Sequence, residues 1–242
     1  MKVSVVIVTL NRNRILPATI PSILDSKLVD ELLIIEGFKP SALGREIGWR
    51  QTRNPYVCFI DDDEIMPQGW MENLAEAFND PLVGAVSSTL KPLRNNFLST
   101  LECLIQNHSL LRNHVHARFV RRVALESIGG YDSRVQGMVT VYAAKRMVEK
   151  GWKTVVVDYP LWHNVKYCRN LRHWIYSLTV TAQESFHDKV RYGELLGYFK
   201  KAVFSPLRGF QLAVQYRKPF LWLLYPLRCW LYMLGMMGVV IQ

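Results

Sequence analysis

Four acidic side chains stand in a row at Asp61, Asp62, Asp63 and Glu64, within the stretch FIDDDEIMP, in a chain whose net charge is +10. Left unneutralised they would repel one another, and burial would strip their hydration. A positive partner is therefore expected among them. The alternate carboxylates Asp61 and Asp63 could hold a hard divalent cation and, through it, a diphosphate, because such ions take oxygen ligands and bridge phosphate groups. The competing reading is a solvated acidic loop, so the elements in front of the cluster matter.

Those elements would set the acids at the edge of a sheet. Val3–Val8 is an almost continuous β-branched run, the pattern of a strand covered on both faces. Polar residues from Thr9 to Arg14 end it, and Ile15, Ile20, Ile23 and Leu24 follow at helical spacing, with Pro17 in the first turn. ELLIIEG (Glu31–Gly37) is a second strand, Ser41 to Arg53 a helix, and YVCFI (Tyr56–Ile60) a third strand. This order predicts right-handed crossovers and an α/β, mainly parallel sheet with helices on both faces. Ligands of such sheets bind beyond the C-terminal ends of the strands. Thr9, Asn11, Glu36 and Asp61–Glu64 all fall there. Further along, Trp70, Leu74 and Phe78 mark a helix, Gly84–Thr89 a strand, Val139–Lys150 a helix stopped by Gly151, and Lys153–Asp158 a strand.

Four segments, VSVVIVTLNR, LLIIEG, REIGWRQTRNPYVCFIDDDEIMPQGWMENL and FVRRVALESIGGYD, occur in that order within residues 1–165. Together they resemble family-2 inverting glycosyltransferases of the GT-A fold. The resemblance implies a Rossmann-like catalytic domain over 1–165 that uses a nucleotide-sugar donor, GDP- or UDP-linked. By the same resemblance Thr9, Asn11 and Glu36 line the base and ribose pocket, Arg45 lies near the donor, and Asp61 and Asp62 contact the nucleotide. Asp61 and Asp63, joined by His163 of PLWHN, would hold Mn²⁺ or Mg²⁺. As a Lewis acid the ion would stabilise charge on the departing diphosphate.

The likeness breaks after GGYD, where many relatives place a Glu-Asp pair that supplies the general base. Met138 and Val139 stand at those positions. Either catalysis is lost, or Asp132 or Asp158 serves instead, or no base is needed. The last option has a physical rationale, since the phosphate of a polyprenyl phosphate is already anionic and needs no deprotonation. GMVTVYAAKRMVEKGWKTVVVDYPLWHNVKY also resembles polyprenol-phosphate sugar synthases, which leans the donor toward GDP-mannose. An anionic acceptor needs cations, for which Arg121, Arg122, Lys166 and Arg169 are the candidates. A glycan hydroxyl as acceptor, and a non-catalytic relative that binds nucleotide-sugar or membrane, remain the alternatives.

The chain has 242 residues, half of them apolar and 21% charged, which fits a folded body and excludes a disordered one. Charge is uneven: residues 166–242 hold eleven Lys or Arg against Glu184, Asp188 and Glu194. Such asymmetry points to nucleic acid or to an anionic membrane surface. Bulky apolar residues share the segment, among them the stripe Leu171, Trp174, Ile175, Leu178, Ala182 and Phe186. Nucleic acid is therefore not expected. Phe220–Ile241 carries a single charge, Arg228. As one helix it would be roughly 33 Å long, against a hydrocarbon core of about 30 Å. Pro226 and Arg228 argue against a clean span. The expectation for 166–242 is a basic, aromatic, membrane-associating set of amphipathic and hydrophobic helices, monotopic or with one C-terminal span. Cys58, Cys103, Cys168 and Cys229 lie too far apart for a zinc motif or a disulfide framework, which suits a reducing compartment and the cytoplasmic face of the membrane. The first strand lacks a Gly-rich phosphate loop, which excludes a sugar nucleotidyltransferase, and its apolar run is read as a strand rather than a signal peptide.

Overall fold

Three largely apolar runs become the parallel core of one sheet: β1 (Val3–Thr9), β2 (Val29–Glu36) and β3 (Tyr56–Asp61). The computed structural model describes residues 1–94, 96–110, 115–165 and 168–241, divided into two units, Met1–Val165 and Lys166–Gln242. In the first unit the sheet is completed by β4 (Glu64–Ile65), β5 (Val83–Pro92), β6 (Phe119–Arg121) and β7 (Lys153–His163), in the order β2-β1-β3-β6-β5-β7-β4. Thr9 is in register with Glu36, and Val8 with Asp61, so the C-terminal ends of the three core strands are level. That edge carries the acid cluster.

The sheet is mixed as well as parallel. β6 runs antiparallel to both β3 and β5, while β5 and β7 are parallel and β4 pairs antiparallel with β7. β7 continues five residues past Asp158, the expected end, and reaches His163. Pro160 lies within it, at a register shift: Ser88 faces Val157 but Leu90 faces Leu161. A bulge is one of the few places where a strand accepts proline, which has no N–H for the ladder. The extension matters because it carries His163 alongside Glu64.

Helices cover both faces. On one, Ile23 of α1 (Thr19–Leu24) and Trp70, Met71 and Leu74 of α3 (Trp70–Ala75) are sealed against Val3, Val5, Ile7, Cys58 and Ile60. Each such side chain contributes about 1.5–3 kcal/mol by leaving water. On the other face α2 (Ser41–Gln51) lies unusually close to β1. A Cβ on Gly44 would come within 2.6 Å of Val8 Cγ1, and one on Gly48 within 2.6 Å of Val6 Cγ1. Only bare α-carbons allow that approach, and Arg45 sits between them. The rest of the unit is α4 (Phe97–Leu110), α5 (Arg122–Ser127) and α6 (Val139–Glu149).

The second unit comprises α7 (Leu171–Glu184), α8 (Phe186–Arg191), α9 (Leu195–Val203), α10 (Ser205–Gln215) and α11 (Leu221–Met236). Gly235 of α11 meets α7 with no room for a side chain, since a Cβ there would fall 2.3 Å from Thr179 O. The C-terminal apolar run is helical over 16 residues rather than its full length. That is about 24 Å, and Gly238 follows at φ +87°. Among the described residues no helix is long and apolar enough to cross a membrane. The apolar faces of α9 and α10 are open: Leu196, Phe199 and Val203, then Leu207, Phe210 and Val214, are each more than half exposed.

Candidate functional site

Each carboxylate of the cluster has its own partner, supplied by a different element. Asp61, the last residue of β3, is ion-paired with Arg45 of α2, and its second oxygen lies 3.8 Å from Arg118 just ahead of β6. Burial pushes the Asp61 carboxyl up, but Arg45, Arg118 and His163 outweigh it and hold the group at about 2. Asp62 accepts a 2.6 Å hydrogen bond from the Thr9 hydroxyl at the end of β1, and Arg14 stands 3.6 Å away. Asp63 Oδ1 lies 3.6 Å from His163 Nε2. Glu64, only 1% exposed, pairs with Arg118 and accepts the Asp61 N–H at 2.9 Å. Burial disfavours the charge on Arg118, but Glu64 and Asp61 overcome it and push its pKa up.

Part of the positive charge expected among the acids comes from arginines of the chain itself. Their guanidinium groups balance Asp61 and Glu64. Asp63 and His163 do fit a divalent cation. Two chains of contact bring them together: Glu64 pairs with His163 across β4 and β7, and the Asn164 N–H donates to Asp63 O at 2.8 Å. His163 Nδ1 is buried with no hydrogen-bond partner. No cluster of three or more His, Cys, Asp or Glu ligands exists among the described residues. Two protein ligands suffice where substrate phosphates complete the shell, which is how Mg²⁺ is commonly held.

The nucleotide-side residues of the sequence reading gather at the same edge. Asn11 Oδ1 caps the short turn Arg12–Arg14 by accepting the Asn13 N–H at 2.9 Å. Glu36 takes the Arg12 N–H at 2.9 Å and Arg12 Nε at 3.0 Å, and the Gly37 N–H closes on Thr9 O. Arg45 is nearly buried and also stacks its guanidinium 5.3 Å from the Phe59 ring.

The acceptor-side residues do not gather there. Arg121 and Arg122 are corrections: both lie at the opposite end of β3, where Arg121 is in register with Tyr56. That is about 17 Å from Asp61 along the strand. Arg121 donates to Val83 O, Phe78 O and the Tyr56 hydroxyl, and Arg122 to Asn54 O and Thr52 O. Their guanidinium groups satisfy carbonyls and leave no acceptor role at the acid edge. Arg169 is exposed in the second unit, and Lys166 lies outside the described residues. Asp132 is held by Arg134 through both carboxylate oxygens, at 2.9 and 3.1 Å, and Asp158 accepts from the Thr89 hydroxyl at 2.9 Å. Met138, at φ +56°, is the N-cap of α6, so no carboxylate stands at Met138 or Val139.

Arg118 and Arg14 are the members of this charge cluster that sequence reasoning missed. The signal for Arg118 was a lone arginine entering the apolar stretch ARFV, since a cation on a buried strand requires an internal acid.

Comparison with known proteins agrees with this architecture. Residues 41–122, from α2 through β6, match the model of Glycosyl transferase family 2. Mannosyltransferase PcManGT from Pyrobaculum calidifontis, solved with GDP-Man and Mn²⁺, superposes at a TM-score of 0.61 and 17% identity, over 98% of this chain and 74% of that one. S. aureus TarS 1–349 in complex with UDP-GlcNAc gives 0.56 and 12%, over 98% and 82%. The chain spans 39% of the length of a longer TarS structure, at a TM-score of 0.51 and 10% identity. No curated protein matches the chain. The class these findings define is the GT-A fold: a mixed, mostly parallel sheet flanked by helices, in which residues 41–122 match the Glycosyl transferase family 2 model.

Proposed function

We propose that the protein is an inverting glycosyltransferase that moves a hexose from a GDP- or UDP-linked donor to a lipid-linked acceptor at a membrane surface. The observation that carries the reading is the Asp63–His163 pair at the end of β3 and β7, beside an Asp61 locked by Arg45 and Arg118. Asp63 and His163 would hold Mn²⁺ or Mg²⁺ against the donor diphosphate, where the ion supplies Lewis-acid stabilisation of the leaving group. Arg45 and Arg118 keep Asp61 ionised as an acceptor for donor hydroxyl or N–H groups. Thr9 fixes Asp62, and Glu36 and Asn11 shape the turn over the end of β1. The bound GDP-Man of PcManGT and UDP-GlcNAc of TarS make both nucleotides worth testing, with mannose first.

Membrane association is supported by the second unit, where open apolar faces alternate with Lys200, Lys201, Arg208, Arg217 and Lys218. Amphipathic helices of this kind lie in the interface with cations on anionic headgroups. We place the protein as a monotopic enzyme on the cytoplasmic face. For the acceptor, polyprenyl phosphate loses support, since Arg121 and Arg122 face away from the acid edge, and a lipid-linked glycan gains it. The deciding experiment is a donor screen with GDP- and UDP-hexoses, Mn²⁺ and anionic vesicles. Turnover of one donor, abolished in Asp63→Ala, is expected. Absence of donor turnover with every nucleotide and either metal refutes the reading.

A further inference from the structure

Two glycines and a tyrosine, residues 129–131, tie α2 to α6. Both glycines stand at positive φ, +75° and +87°, and a Cβ on Gly130 would overlap the Glu46 carboxylate. The turn is gripped from both helices. Glu46 of α2 accepts the Tyr131 N–H at 2.8 Å, together with the Trp49 indole N–H and Arg50 Nε, each at 2.6 Å. Arg146 of α6 donates to Ile128 O at 3.1 Å and to Gly130 O at 2.6 Å. This double grip delivers the Tyr131 side chain into the interior, where the residue is 3% exposed. Its hydroxyl donates to Ala117 O at 2.8 Å, one residue before Arg118, and its ring meets Phe59 edge-on at 5.1 Å. Phe59 is also the ring beside which the Arg45 guanidinium stacks. Burial pushes the phenol pKa up, against the pull of Arg45 and Arg118, so the hydroxyl stays a donor.

Asp61 is held by two arginines from different elements, and Tyr131 touches the support of each. The segment that carries Arg118 is pinned at several points. The Ala117 N–H donates to Thr140 O at 2.9 Å, the Arg118 N–H closes a tight turn on His116 O at 2.8 Å, and Arg118 O accepts the Phe59 N–H at 2.9 Å. We infer that Tyr131 is a positioning residue for donor binding, fixing through Ala117 and Phe59 where Arg118 and Arg45 hold Asp61. The inference rests on the glycosyltransferase reading above, in which Asp61 accepts hydrogen bonds from the donor, and gives that grip a support outside the pocket. Groups that bind a ligand keep their geometry only when a second layer of contacts locks them, and small displacements weaken the site steeply. Removing the hydroxyl alone leaves the buried Ala117 carbonyl without its donor. The chain ahead of β6 then shifts, and the Arg118 guanidinium with it.

The test compares wild type, Tyr131→Phe, Glu46→Ala and a control, Ile23→Val, which trims the core on the other face of the sheet. Each is assayed with Mn²⁺ and the donor found in the screen, and its melting temperature is recorded. Tyr131→Phe should raise the donor KM about tenfold, with kcat within about threefold of wild type and the apparent Mn²⁺ constant unchanged. Glu46→Ala should act in the same direction. Ile23→Val should lower the melting temperature and leave the donor KM as in wild type. Calorimetry then reads donor binding in the charge-balanced background Arg118→Met with Glu64→Gln. There Tyr131→Phe should add less than about twofold, because the arginine through which it acts is gone. An unchanged donor KM in Tyr131→Phe or Glu46→Ala overturns the inference and leaves the glycosyltransferase reading standing. So does an equal rise in Ile23→Val, which marks general loosening, or an undiminished effect of Tyr131→Phe in the Arg118→Met background. No donor turnover by wild type overturns both readings.

Discussion

Replacing Arg118 by methionine keeps the length of the side chain and removes its charge, which leaves Glu64 alone. Glu64 is 1% exposed, and its carboxylate has the Asp61 N–H as its other hydrogen bond. One amide donor does not compensate a buried charge, and stranding one member of such a pair costs about 3–5 kcal/mol. For a domain of this size the melting temperature should fall by about 6–20 °C. Asp61 loses the guanidinium 3.8 Å from its second oxygen as well, so its pKa should rise from about 2 toward the ordinary carboxylate range. A double variant, Arg118→Met with Glu64→Gln, removes both charges while the glutamine oxygen still accepts the Asp61 N–H. It should recover more than half of the loss. The assay is thermal and urea unfolding of the wild type, the single and the double variant at neutral pH. A single variant within about 1 kcal/mol of wild type, or a double variant as unstable as the single, would refute the claim that the pair is a coupled buried charge.

Asp63→Ala and His163→Ala should each weaken Mn²⁺-dependent donor binding by roughly tenfold or more, as loss of one of two protein ligands requires; unchanged Mn²⁺ titrations in both would exclude the pair as the metal site. Asp61 titrates in the folded state near 2, below the ordinary value of about 3.9, so its stabilising contribution is complete above about pH 4 and is lost as pH falls toward 2. Carboxyl-carbon NMR should show this low midpoint and its upward move in Arg45→Gln, and a wild-type midpoint near 4 would contradict the double clamp. Arg122→Ala should lower stability by about 1–3 kcal/mol by orphaning the carbonyls of Asn54 and Thr52, with acceptor KM unchanged. A raised acceptor KM without loss of stability would restore Arg122 to the acceptor site.

Legibility in the sequence followed the length of the signal. β1, β2 and β3 are apolar runs of several residues, and their order alone defined the parallel core and the edge where Asp61 lies. β4, two residues long, and β6, three, have no period to detect, yet they bring His163 to Asp63 and Arg118 to Glu64. The acids were read as needing a positive partner, but the arginines that pair with Asp61 and Glu64 were not legible, since they are 16 and 54 positions away in the chain. Arg121 and Arg122 were misplaced for a related reason. Residue type says that a guanidinium needs acceptors, whereas which acceptors it finds depends on the antiparallel return of β6, which carries both to the far end of β3.

The pair of bare α-carbons at Gly44 and Gly48 has a bearing on how the pocket could be retuned. α2 rests directly on the methyl groups of Val8 and Val6, so the thickness of those two valines fixes how high Arg45 rides over Asp61. Hydrophobic residues without a polar atom thereby act as shims beneath an ion pair. Shaving or thickening them would shift a guanidinium by fractions of an ångström and alter donor preference from below, with every residue of the pocket floor left in place.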